Sequence, residues 1–179
     1  MTAFDEAFEH TVKLEGTYSN HAADRGGATT YGITEAVARR EGYVGPMSSL
    51  PLSTAKAIYQ RCYWNPLRLD AIAAVSVPIA LKLFDMGVNM GTGTAAKFLQ
   101  RALNVFNRQQ ADYPNMTVDG VVGPKSVTAF ITFMQKRKAQ GEMVLLKALS
   151  SLQGARYIEL AESREQNQAF VFGWIANRV

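Results

Sequence analysis

Strand-forming signal is confined to residues 17–33 of this 179-residue chain, and nearly everywhere else apolar residues recur at three- and four-residue spacing. The fold this permits is mostly α, an α+β arrangement with one small β-hairpin element packed beside a helical bundle. Phe4, Phe8 and Val12 mark an amphipathic helix over 4–15, with Asp5 and Glu6 in its first turn and Gly16 at its end. Two short β-like pieces, 17–20 and 29–33, are joined by a polar stretch ending Asp24-Arg25-Gly26-Gly27. Thr34 is placed to cap a helix through Arg40, and Ser53 to cap another running to Trp64, where Asn65-Pro66 ends it. Pro78 opens a helix to Gly91 that is apolar nearly all round and therefore central. Further helices are expected from Thr94 to Phe106, from Pro124 to about Lys138, and from Glu142 to about Arg164, the longest. The polar run 107–117 is the best lobe boundary, dividing residues 1–106 from 107–179.

Composition narrows the classes. Apolar types make up 47% and charged types 19%, enough to bury a core without disorder. The longest uncharged apolar stretch, 71–80, falls far short of the ~20 residues that cross a bilayer, so no transmembrane segment is expected. Asp5, Glu6 and Glu9 interrupt the first ten residues where a secretory signal needs a basic start and an apolar run. The expectation is a chain made in the cytoplasm without a signal peptide. Cys62 is the sole cysteine, which excludes an internal disulfide; it sits in a helical apolar pattern and reads as inert packing. Residues 1–90 hold eight Lys/Arg against nine Asp/Glu, whereas 91–179 hold eleven against six. A basic second half suits a polyanionic partner: nucleic acid, an acidic membrane surface or an anionic cell-wall polymer.

Two acidic residues stand out. With Phe4 at zero and 100° per residue, Glu15 falls at about 20°, within the apolar stripe. A carboxyl group there is partly desolvated and kept protonated, as a general acid must be; the alternative is that the last turn frays and Glu15 bends into solvent. Asp24 follows nine residues later, before Gly26, Gly27, Thr29, Thr30, Tyr31 and Gly32. Glycosidic cleavage needs one acid to protonate the leaving oxygen and a second, ionised, to position water or steady positive charge. A helix end followed by a hairpin can set the two on opposite walls of a cleft, although Asp before Arg-Gly-Gly is also ordinary turn chemistry.

The runs Lys13-Leu14-Glu15-Gly16-Thr17-Tyr18 and Asp24-Arg25-Gly26-Gly27-Ala28-Thr29-Thr30-Tyr31-Gly32-Ile33-Thr34 resemble the signature of the glycoside hydrolase family 108 muramidases. These are lysozyme-like enzymes of phage endolysins and some bacterial secretion loci. Later blocks resemble the same family: Ala55-Lys56-Ala57-Ile58-Tyr59 with Tyr63-Trp64, Phe84 to Gly91, and Leu99-Gln100-Arg101-Ala102-Leu103-Asn104. Asp119-Gly120-Val121-Val122-Gly123-Pro124 and Phe172-Gly173-Trp174 with Asn177-Arg178-Val179 resemble the helical peptidoglycan-binding module that usually follows. The resemblance implies a lysozyme-like catalytic lobe and a peptidoglycan-binding lobe packed on it. It implies Glu15 as the general acid, with Asp24 and Thr29 flanking the scissile sugar. The Glu-x8-Asp spacing also resembles the phage-lysozyme pattern of Glu, Asp and Thr, where an ungapped overlay picks Thr30 instead of Thr29. Thr17 and Arg25 depart from the family pattern, which usually has a second glycine and a proline there.

The implied activity is hydrolysis of the β-1,4 link between N-acetylmuramic acid and N-acetylglucosamine, with a lytic transglycosylase or a non-catalytic glycan binder as rivals. No cofactor and no metal are expected, because His10 and His21 lack ligand spacing. Thr30, Tyr31, Asp85, Asn89 and Tyr18 are the expected substrate-binding residues, and Trp64 is a further candidate for stacking on sugar rings. Asp85 and Asn89, one helical turn apart, share a face that either lines the cleft or satisfies a buried backbone end. The partner is the peptidoglycan glycan strand. The basic half, including Lys136-Arg137-Lys138, suits an anionic envelope surface, and with no groove-reading motif nucleic acid is not expected. A monomer is expected, acting in the periplasm or cell wall after holin-type or other assisted release.

Overall fold

The computed structural model describes residues 1–15, 18–19 and 28–179, with the backbone alone for 13–15 and 18–19. Helix α1 (Ala3–Glu15) buries Phe4, Ala7, Phe8 and Thr11. Strands β1 (Tyr18–Ser19), β2 (Thr29–Thr30) and β3 (Ile33–Thr34) form an antiparallel sheet in the order β1-β2-β3. The expected piece 29–33 is thus two strands, because Tyr31 and Gly32 both take positive φ (53° and 74°) and turn the chain between Thr30 and Ile33. Two left-handed residues match the twist of a hairpin. Thr34 caps α2 (Glu35–Arg40) by accepting from the Val37 N–H at 3.4 Å.

Helix α3 (Leu52–Tyr59) begins one residue before the expected cap Ser53. Pro51, at φ −66°, is pre-set for the approach, and its carbonyl accepts from the Ala55 N–H at 3.0 Å. A π-helical turn, Gln60–Trp64, follows directly. The helical run ends at Trp64 as expected, although Asn65 keeps α-region angles (−64°, −43°) before Pro66 and its N–H donates back to Gln60 O at 2.9 Å. That wider turn leaves room for a ring that cannot donate. The chain reverses only at Arg68, φ 50°. Helix α4 (Leu69–Ala73), too short to show periodicity, buries Leu69 and Ile72.

Helix α5 (Val77–Met90) is central as its sequence required, packing on α1, α4, α6 and α7. Ser76 caps it by accepting from the Ile79 N–H (3.2 Å) and donates to Glu142 Oε2 (2.6 Å) in the last long helix. Gly91, at φ 86°, turns the chain into α6 (Thr92–Phe106), which starts earlier than Thr94. The loop after α6 is held by two α6 side chains. Gln100, 2% exposed, donates to Asp119 Oδ1 and Val121 O and accepts from Gly120 N–H. Asn104 exchanges a pair of 2.8 Å bonds with the Met116 backbone. Gly120, at φ 81°, leaves no space for a Cβ, which would lie 3.0 Å from Gly93 O.

Helix α7 (Pro124–Ser163) breaks at Lys138, the boundary its two amphipathic segments implied. Beyond the break, Gly141, Leu145, Leu149, Gln153, Tyr157 and Ala161 form a buried stripe of four-residue spacing. Lys138 sits at φ 52°, ψ −144°, a conformation essentially reserved for glycine. Lys138→Gly therefore stabilises the protein by about 1 kcal/mol, read as a raised Tm in calorimetry. Helix α8 (Gln168–Arg178), not foreseen as an element, returns against α7 and has no buried residue. One contiguous apolar core runs from Phe4 through Leu149. Among the described residues, no helix is long and apolar enough to cross a membrane.

Candidate active site

Glu15 is the last residue of α1 and occupies the register position that continues Phe4, Phe8 and Thr11, so the helix does not end before it. Three residues on, Tyr18 pairs with Thr30 and Ser19 with Thr29. Chain covalency keeps the Cα atoms of residues 15 and 18 within about 11 Å. The backbone thus gathers Glu15, β1 and the Thr29–Thr30 strand at one end of α1. Asp24, His21 and the Gly26-Gly27 pair lie outside the described residues, as do the side chains of Glu15 and Tyr18.

The sheet register separates the two threonines. Successive strand residues face opposite sides. Thr30 is 4% exposed and its hydroxyl donates to Met47 O at 2.7 Å, so the expected sugar contact at Thr30 is corrected to a structural tie under the sheet. Thr29 is half-buried on the other face. Thr30→Val leaves Met47 O without its donor and costs about 1–3 kcal/mol in denaturant unfolding, with the sheet register intact.

Tyr31 holds a left-handed backbone conformation that costs roughly 1–2 kcal/mol in a residue with a Cβ. The Tyr59 hydroxyl, donating to Tyr31 O at 2.9 Å, fastens the strained turn to the end of α3. Tyr59 in turn packs edge-on against Phe8 and beside Tyr63 at 5.4 Å. No local pattern marks Tyr59 as positioning this turn, because the partners lie 28 residues apart. Trp64, offered as a sugar platform, is 1% exposed in the core between Phe4 and Phe84, its indole N–H donating to Asp70 at 2.8 Å. That position is corrected to packing.

Asp85 and Asn89 do share a face of α5, and the amide of Asn89 donates to both the Asp85 carbonyl and carboxylate. The other partners of Asp85 come from far along the chain. Arg178 pairs with it at 2.7 Å and Gln153 donates to it at 3.0 Å. Neither Arg178 nor Gln153 was singled out as a partner from sequence, since only folding brings α7 and α8 onto α5. One turn earlier, Lys82 donates to Arg178 O at 2.7 Å, and burial pulls its ammonium below the usual lysine range. A cavity of about 360 Å³ opens beside these groups, lined by α1 (Glu6, His10, Thr11), α5 (Lys82, Asp85) and Arg178 among others. Its walls join the helix that ends in Glu15 to the end of α8.

Cys62 is half-buried, and burial together with the Glu41 carboxylate pushes its thiol up, away from the reactive thiolate. Among the described residues, no three His, Cys, Asp or Glu side chains converge.

Comparison with known proteins divides the chain in two. A family model described as Glycosyl hydrolase 108 matches residues 8–91, and one described as Predicted Peptidoglycan domain matches residues 94–179. The two meet at the Gly91 turn between α5 and α6. Among solved structures, the chain is similar to that described as the structure of Brucella abortus SagA, with TM-score 0.69 and 26% identity over 97% of this chain and 87% of that one. No curated protein matches the chain.

Proposed function

The chain belongs to the glycosyl hydrolase 108 family, with a peptidoglycan domain as its second half, and from that premise we propose that it is an N-acetylmuramidase. Membership of the family makes it a glycoside hydrolase acting on peptidoglycan. The bond it cuts in this reading is the β-1,4 link between N-acetylmuramic acid and N-acetylglucosamine. Glu15 gives its proton to the leaving oxygen, and water adds at the anomeric carbon. Asp24, ionised, receives that water's proton or steadies the oxocarbenium-like charge. Thr29 flanks the scissile sugar. The observation that carries this reading is the chain order and register: a hydrolase half whose first helix ends at Glu15, with β2 paired beside it through Ser19 and Thr29.

Mass analysis of fragments released from purified sacculi tests it. Products ending in reducing N-acetylmuramic acid are expected. Anhydro-sugar ends, one water lighter, identify a lytic transglycosylase instead, and intact sacculi identify a binder. For its biological use we propose a role in wall lysis as in a phage endolysin, on the strength of the resemblance carried by the Lys13–Tyr18 and Asp24–Thr34 runs.

A further inference from the structure

Helix α8 leaves large aromatic surface in solvent. Phe170 is 58% exposed, and its ring stacks on Trp174 with centroids 6.2 Å apart and planes within 19°. Tyr157 of α7 supports Trp174 from behind at 5.3 Å. Phe170, Gly173, Trp174 and Asn177 follow at helical spacing along one face, whereas Phe172, Ile175 and Val179 occupy the opposite side. The first face is concave. It borders a pocket of about 300 Å³, and a Cβ built on Gly173 would meet nothing within 4 Å, so the glycine leaves the floor open. Asn177 donates to Gly173 O at 2.9 Å, and its side-chain carbonyl accepts no bond among the described residues.

From this geometry we infer that α8 carries a sugar-stacking subsite for the glycan strand of peptidoglycan, the Phe170–Trp174 shelf holding the apolar face of an N-acetylated pyranose while Asn177 takes a hydroxyl or amide hydrogen. Near-parallel, partly solvent-facing rings edged by an amide suit a ligand with alternating C–H and polar edges. An anionic lipid headgroup suits the face poorly, since Arg178, its one cation, is paired with Asp85. Asn177 and Arg178 line both this pocket and the 360 Å³ cavity, whose α1 wall is Glu6, Ala7, His10 and Thr11, so the two hollows adjoin at the end of α8. The inference rests on the peptidoglycan reading and assigns it a place.

The test uses the full chain carrying Glu15→Gln, which binds without cutting. The protein has two tryptophans, and Trp64 is 1% exposed, so a fluorescence change on adding a soluble N-acetylglucosamine–N-acetylmuramic acid tetrasaccharide reports on Trp174. The change is expected, and is expected to vanish in Trp174→Phe. Phe170→Ala and Gly173→Leu, the latter filling the pocket from an open position, should weaken co-sedimentation with purified sacculi about fivefold to tenfold. Their Tm should not fall, since Phe170 is 58% exposed and a side chain at position 173 starts into open space. Unaltered fluorescence, or variants that sediment like the parent, overturns the subsite while leaving the hydrolase reading standing. Loss of self-association in place of glycan binding, seen by sedimentation velocity, overturns it in favour of a contact between copies. A parent protein that neither binds nor cuts sacculi overturns both readings.

Discussion

Glu15→Gln is expected to reduce clearing of outer-membrane-permeabilised cells by about 10²–10⁴-fold, the usual contribution of a positioned general acid. The amide preserves the shape of the side chain and removes the one proton the leaving oxygen needs. Because the residue ends α1 on the line continued from Phe4, Phe8 and Thr11, the substitution does not disturb the buried turns of the helix. Tm should therefore change little while turnover collapses. Retained clearing would remove Glu15 from the mechanism and assign the proton transfer to another group.

The second large effect is on stability. Arg178→Met, which keeps the aliphatic stem and removes the guanidinium, is expected to cost about 3 kcal/mol, because the Asp85 carboxylate is left mostly buried without its cation. The side chains of the pair are only 11% and 16% exposed, so added salt should weaken the interaction little. For a chain of this length such a loss lowers Tm by roughly 6–12 °C. The pair joins α5, in the hydrolase-matched half, to the last helix of the peptidoglycan-matched half. Asp85→Asn alone and the double variant complete a cycle, and a coupling energy near zero would show that α8 is held by its contacts with α7 instead.

These two outcomes draw on different sources of information. The first was legible in sequence. Glu15 lies on a helix whose period is local, and the Lys13–Tyr18 and Asp24–Thr34 runs carry the family resemblance without any help from folding. Much of the fold was legible for the same reason. The central α5, the cap at Thr34, the turn at Asp119-Gly120 and the break near Lys138 all follow from residues within a few positions of one another. The elements that escaped were those whose signal is too short or comes from a neighbour. Helix α4 has five residues, and α8 buries none.

The site divides along the same line. A pattern of threonines, tyrosines and carboxylates cannot say which of them faces a substrate, because the one-residue alternation of a strand makes Thr29 and Thr30 equivalent until something covers one face. Met47 O, seventeen positions away, claims Thr30; Phe4 and Phe84 claim Trp64; Arg178, ninety-three positions away, claims Asp85. The amino-acid sequence alone determined the helical class, the small sheet and the chemistry that Glu15 can offer, all of which depend on spacing along the chain. Only the tertiary structure decided which polar groups are already satisfied by distant partners, since a hydrogen bond or ion pair across tens of residues leaves no periodic trace.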